Sequence, residues 1–295
     1  MRLPTLTLSR LLPLLLALAA GWAAARPVVV VTLPPQRWLV RQLAGDAVEV
    51  EVMVAPGQNP HTFEPTGWQL ARLAAARGWL TIGLPFEQTL LAKIRGTIPG
   101  LPAFPVDRQI ERLADDGAPH VHEHDHAHAD CTAGGDPHIW LSPVGMAQLA
   151  TNTCAALQTL LPGQRVAFDQ ALAAFSRRVT GLQRELEATL QPVKGRTFWV
   201  YHPSWSYFAR SFGLVQTAVE AGGREPAPRE LARLVERARQ ARVRVLFADP
   251  QVDPRPIRAL AAHLGAEMAV LDPLAEEWDA NLRHVAAALA VALKD

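Results

Sequence analysis

Residues 166–190 read VAFDQALAAFSRRVTGLQRELEATL, and this stretch decides the fold. Phe168, Leu172, Phe175, Val179, Leu182, Leu186 and Leu190 recur at spacings of three and four and make one apolar face. Most of the remaining positions are good helix formers, and Pro192 and Gly195 end the run. A helix of this length rises about 35 Å at roughly 1.5 Å per residue, enough to run the length of a two-lobed molecule.

Working outward, the same alternation of short strand and helix appears on both sides. Before the helix, strands are predicted at 28–33, 48–54, 79–82 and 103–106, with helices at 36–44, 68–76 and 86–94. Ser142 caps a further helix, with Pro143 at its first position, running to about Leu160. After the long helix, strands are predicted at 197–201, 214–219, 243–247 and 268–271, and helices at 204–212, 227–241, 253–264 and 276–293. The expected fold is α/β: two lobes, each with a four-stranded, mostly parallel sheet flanked by helices, joined by one long helix. The two halves share a style, but no close sequence repeat links them.

Residues 1–25 stand outside this pattern. Arg2 and Arg10 precede or border a short apolar run from Leu11 to Ala20, and Ala23-Ala24-Ala25 offers a small-residue cleavage site. This is the pattern of a cleavable secretory signal peptide, too short to span a membrane, and it predicts a periplasmic protein. No Cys follows it, so no lipid anchor is expected. The divisions expected are 1–25 signal peptide, 26–161 N-terminal lobe, 162–194 linking helix and 195–295 C-terminal lobe. Without Arg2 and Arg10, the 29 Lys and Arg fall to 27, against 28 Asp and Glu. That balance predicts no nucleic-acid partner.

Three histidines fall just beyond predicted strands or in long loops, each beside a proline. They are His61 in NPHTFEP (59–65), His138 in DPHIW (136–140) and His202 in YHPSW (201–205). Asp272 in VLDPL (270–274) holds a similar place. A lone loop His is more often solvated than ligating. Joint placement lifts these, because strand ends in an α/β protein converge on one crevice. Three imidazoles and one carboxylate there would suit tetrahedral Zn²⁺. Asp249 is a rival carboxylate, Glu64 and Glu220 weaker ones, and Glu225 is expected to orient a loop or cap a helix. His263 and His284 lie inside predicted helices and read as structural.

A polar stretch at about 117–135 breaks the alternation and reads as a mobile insertion. It holds His120, His122, His124, His126 and His128, a secondary metal-gathering tract. Cys131 and Cys154 are the only cysteines. A disulfide is the first expectation in an oxidising compartment, against a buried Cys154 or a metal-binding Cys131 thiolate.

The three His segments, in this order, together with LDPLAE (271–276), resemble the zinc/manganese solute-binding proteins of bacterial ABC importers, the cluster A-I group. The resemblance covers essentially the whole mature chain. It implies two α/β lobes on one long rigid helix, with metal held in the cleft between them. In that family the zinc branch uses three His and often carries a His-rich loop. The manganese branch has Glu where this chain has His202. The family's disulfide in the C-terminal lobe has no counterpart here, and the His-rich loop is short.

The expected function is a periplasmic protein that captures Zn²⁺ as transported ligand and delivers it to the membrane permease of an ABC importer. It is expected to be monomeric and not an enzyme. The alternatives are a manganese or iron carrier of the same family and a secreted zinc hydrolase. Against the hydrolase, no Glu is clearly poised beside a candidate ligand.

Overall fold

The computed structural model describes residues 25–94, 96–114, 135–220 and 226–294. The signal-peptide segment, the His-rich tract, Cys131 and Glu225 lie outside the described residues.

Each half of the chain builds one four-stranded parallel sheet. In the first, β1 (Val28–Val31), β2 (Glu49–Val52), β3 (Gly78–Thr81) and β4 (Ala103–Pro105) stand in the order β2-β1-β3-β4. Helices α1 (Pro34–Ala44), α2 (Gly67–Ala75) and α3 (Pro85–Ile94) connect them. In the second, β5 (Thr197–Val200), β6 (Val215–Ala218), β7 (Val245–Ala248) and β8 (Glu267–Val270) stand in the order β6-β5-β7-β8. Its helices are α6 (Ser206–Phe212), α7 (Pro228–Gln240) and α8 (Pro254–Leu264), and α9 (Trp278–Ala292) closes the chain. Between the sheets run α4 (Pro143–Leu160) and the long α5 (Arg165–Leu190). The strand order is the same in both halves, so the fold repeats although the sequence does not. In each sheet the direction of winding reverses between the two central strands, which opens a crevice at their carboxyl ends.

The apolar face of α5 is buried as its spacing predicts: Phe168, Phe175, Val179, Leu182, Leu186 and Leu190 are all in the core. It packs against α1, α4 and α9. One continuous apolar cluster passes from β1 and Trp38 through α5 to Phe198, Phe208 and Trp278. The lobes therefore share a core. Polar ties reinforce it: Glu276 accepts from Arg37 and Arg41, and Trp278 Nε1 donates to the Trp140 carbonyl at 2.6 Å. Trp140 Nε1 in turn donates to the Pro273 carbonyl at 2.7 Å.

Strands stop short of their predicted ends where side chains take over the backbone. The Thr32 and Leu33 amides donate to Gln36 Oε1 at 3.0 and 2.9 Å, so β1 ends at Val31. Helix α6 starts at Ser206, two residues later than predicted, because Ser204 Oγ reaches Asp249 and the Trp205 amide donates to Gln216. Among the described residues, no helix is long and apolar enough to cross a membrane.

Candidate metal centre

His61 sits in the loop after β2. Asn59 Oδ1 accepts the His61 amide at 2.9 Å, a local turn that aims the residue inward. Two residues on, Phe63 is buried and packs edge-on against Phe86 at 5.1 Å, which pins the loop to the core. His61 is exposed as a residue, yet its ring lies against two other imidazoles.

His138 precedes a single 3₁₀ turn, Ile139–Leu141, that runs into α4. Ser142 Oγ accepts the Gly145 amide at 3.0 Å and caps α4, as predicted. Gly145 is required there: a Cβ would lie 1.9 Å from the Ile139 carbonyl oxygen. That close approach fixes the turn carrying His138. His202 lies two residues beyond β5, with its backbone held by the Ser204 amide donating to the His202 carbonyl at 2.9 Å.

The three rings converge. Their ligand nitrogens all lie within 4.8 Å of one another. His61 Nε2 and His202 Nε2 are 3.2 Å apart. Two nitrogens each roughly 2.05 Å from a tetrahedral zinc ion would sit about 3.3 Å apart, so this edge already has zinc dimensions. His138 and His202 are buried, each about 7% exposed.

Carboxylates orient the two buried rings. Asp136 Oδ1 lies 2.8 Å from His138 Nδ1 and also accepts the His138 amide at 2.8 Å. Glu220 Oε2 lies 3.0 Å from His202 Nδ1. Each pairing fixes the N–H on Nδ1 and leaves Nε2 as a lone-pair donor, the arrangement that raises ligand basicity in carboxylate–histidine–zinc sites. Tyr207 Oη, from the second lobe, donates to the Asp136 carbonyl at 2.9 Å and steadies this segment. Burial pushes the His61 imidazolium pKa down to about 3, helped by His202 and His138. The His61 ring is therefore neutral and ready to ligate at neutral pH.

The carboxylates divide differently from the histidines. Asp272 is not part of the converging group. Its Oδ1 accepts from Gln251 Nε2 at 2.7 Å and from the Leu274 amide at 2.9 Å. Asp249 lines the cavity beside His61, His138 and His202. Burial pushes its carboxyl well above the usual carboxylate range, against the hydrogen bond from Ser204 Oγ at 3.2 Å. Glu64 is exposed, and His263 and His284 lie on exposed faces of α8 and α9. Sequence reasoning misses the orienting role of Asp136, although a signal is present: an Asp two residues before a His can accept that residue's amide and reach its ring. Gln251, which holds Asp272, carries no signal.

The cavity at the centre measures only about 30 Å³, walled by Leu84, Trp140, Val252 and Leu274. It suits a single ion and is far below the roughly 300–1,000 Å³ of organic-ligand pockets.

Known proteins share this frame. The solved structure of ZnuA superimposes with a TM-score of 0.82 at 35% identity, over 91% of this chain and 100% of that one. A ZnuA variant lacking residues 138–173 (its own numbering), solved with zinc bound, gives 0.82 at 36% identity, over 92% and 99%. The zinc-binding lipoprotein AdcA of Streptococcus pneumoniae is 25% identical over 253 residues, 83% of this chain and 50% of that protein. The chain thus spans about half the length of the AdcA relatives it matches. The family model for the periplasmic zinc-uptake complex component A matches residues 29–292. With its paired sheets, continuous core and three converging imidazoles, the chain belongs to that family.

Proposed function

We propose that this protein captures Zn²⁺ between its lobes and hands it to the permease of an ABC importer. One observation carries the reading: three imidazoles, two of them aimed by buried carboxylates, meet around a space the size of one ion. Nitrogen donors favour zinc over the harder manganese ion. His61 and His138 come from the first lobe and His202 from the second. Asp272 supplies the fourth ligand through Oδ2, since Oδ1 is already held by Gln251 and Leu274. The secreted hydrolase fares worse, because a 30 Å³ space beside the imidazoles admits no organic substrate.

The same reading makes residues 1–25 a cleaved export signal and the mature protein a periplasmic monomer. It divides that mature protein at 26–161, 162–194 and 195–295. The tract His120, His122, His124, His126 and His128 gathers zinc more weakly, and its removal leaves one tight site. Metal analysis followed by titration of the metal-free protein with Zn²⁺, Mn²⁺ and Fe²⁺ tests the reading. One tight Zn²⁺ equivalent is expected, with the other ions bound more weakly. Tighter binding of Mn²⁺ or Fe²⁺ would move the protein to the other branch of the family.

A further inference from the structure

The two buried imidazoles are both tied to one short segment of the second lobe. His202 stands on that segment, just beyond β5. Tyr207, the second residue of α6, sends its hydroxyl across to the first lobe and meets the stretch that carries His138.

That hydroxyl completes a backbone pairing. Its proton goes to the Asp136 carbonyl at 2.9 Å, with the Glu111 carbonyl further off at 3.4 Å. Its oxygen accepts the Leu113 amide at 2.9 Å. The Asp136 amide in turn donates to the Leu113 carbonyl at 2.9 Å. Leu113 and Asp136 are therefore joined as two facing strand residues would be, except that one of the two hydrogen bonds runs through the phenol. The chains come close here: a Cβ on Gly135, where φ is 70°, would lie 2.6 Å from the Leu113 carbonyl oxygen. Tyr207 is buried, and burial raises its phenol pKa above 10, so it keeps the proton that the carbonyl needs. Arg210 of the same helix also crosses, to Glu111 at 3.4 Å, but both side chains are exposed and such a pair contributes little.

Asp136 passes this constraint to the metal centre. Its Oδ1 holds both the amide and the Nδ1 of His138, each at 2.8 Å. Its Oδ2 is buried and finds no hydrogen-bond partner among the described residues. The carboxylate is thus held by Oδ1 and by the backbone that Tyr207 ties down. His202 and the anchor of His138 then move as one unit.

We propose that Tyr207 is a positioning residue that sets the separation of His138 from His202 and so fits the site to an ion of zinc's size. This rests on the zinc-capture reading above. Zn²⁺ needs its nitrogens about 3.3 Å apart, whereas the larger Cd²⁺ ion accepts a wider pair.

The test is competition titration of the metal-free mature protein with Zn²⁺ and with Cd²⁺. Tyr207→Phe removes the hydroxyl and keeps the ring. Its Zn²⁺ affinity should fall about tenfold and its Cd²⁺ affinity by no more than about threefold. Gly135→Ala forces the same two backbone stretches apart and should shift the ratio in the same direction. Gly213→Ala is the control. It strains the far end of α6, where φ is 67°, and should lower the melting temperature with the Zn²⁺-to-Cd²⁺ ratio unchanged.

Long-range ¹H–¹⁵N spectra of the metal-free protein read His138 without any ion. The wild type should show one tautomer, with the proton on Nδ1, and Tyr207→Phe a mixture of two. If the wild type bound no Zn²⁺, the zinc reading would fall, and these spectra would still decide the role of Tyr207. The proposal is overturned if Tyr207→Phe keeps the wild-type Zn²⁺-to-Cd²⁺ ratio, if Gly213→Ala shifts that ratio equally, or if the His138 tautomer is the same in wild type and Tyr207→Phe.

Discussion

Trp278 donates its indole N–H to the carbonyl of Trp140 at 2.6 Å, joining the last helix of the chain to the turn that carries His138. Both indoles are buried, with 1% exposure each. Replacing Trp278 by Phe keeps much of the ring and removes the donor, leaving a buried carbonyl unsatisfied. Denaturant unfolding should show a loss of about 1–3 kcal/mol, before any change in packing is counted. Stability equal to the wild type would mean that this bond does not join the lobes.

His138→Ala should weaken Zn²⁺ binding on the order of 100-fold or more, as a strong nitrogen donor leaves a buried site. Asp136→Ala and Glu220→Ala keep every ligand and should each cost about 10- to 100-fold, through loss of ring orientation. Competition titration against a chelator of known affinity measures all three. Wild-type affinity in the two carboxylate variants would show that packing alone orients the imidazoles.

The fourth ligand separates two carboxylates. Asp272→Ala should weaken Zn²⁺ binding more than Asp249→Asn, because burial raises the Asp249 carboxyl pKa and disfavours its charged form, whereas Asp272 is only half-buried. The reverse order in calorimetry would hand the role to Asp249.

Gly145→Ala should be costly out of proportion to one methyl group. The new Cβ meets backbone at Ile139, which cannot swing aside as a side chain could. A loss of roughly 1–3 kcal/mol in thermal or chemical unfolding is expected, together with weaker zinc binding as the His138 turn shifts.

Glu87, which is not a candidate ligand, supplies a pH signature. It is buried at the start of α3 and accepts from Thr32 Oγ1 and the amides of Ile82, Gly83 and Leu84. Burial raises its pKa from 4.5 to about 7, against those donors. A carboxyl with a raised folded pKa contributes stability below the unfolded value, and that contribution is lost as pH rises through the folded one. Stability should therefore fall between pH 4.5 and about 7, by roughly 3 kcal/mol from this group. Melting curves of the wild type and Glu87→Gln across that window provide the check. The variant, having no proton to lose, should show a smaller change.

Much of the fold is legible in the sequence because its signals are local. The α5 stripe, the Ser142–Pro143 cap and the βα alternation each depend on neighbours within a few residues, and each is found. His61, His138 and His202 are legible because strand ends converge in this class of fold. What escapes depends on contacts distant in sequence. Ser204 reads as helix, but its hydroxyl is drawn to Asp249, 45 residues away. Asp272 is legible as a candidate from its place after a strand, but the hydrogen bond that holds it comes from Gln251 on another loop. No periodicity encodes such pairs.

The three histidines are mounted unequally. His138 and His202 are socketed in the shared core, whereas His61 rides on an exposed loop pinned at Phe63. On the proposed reading, a change at Asn59 or Phe63 should therefore reach the speed of ion release through His61 alone and leave the two buried imidazoles in place.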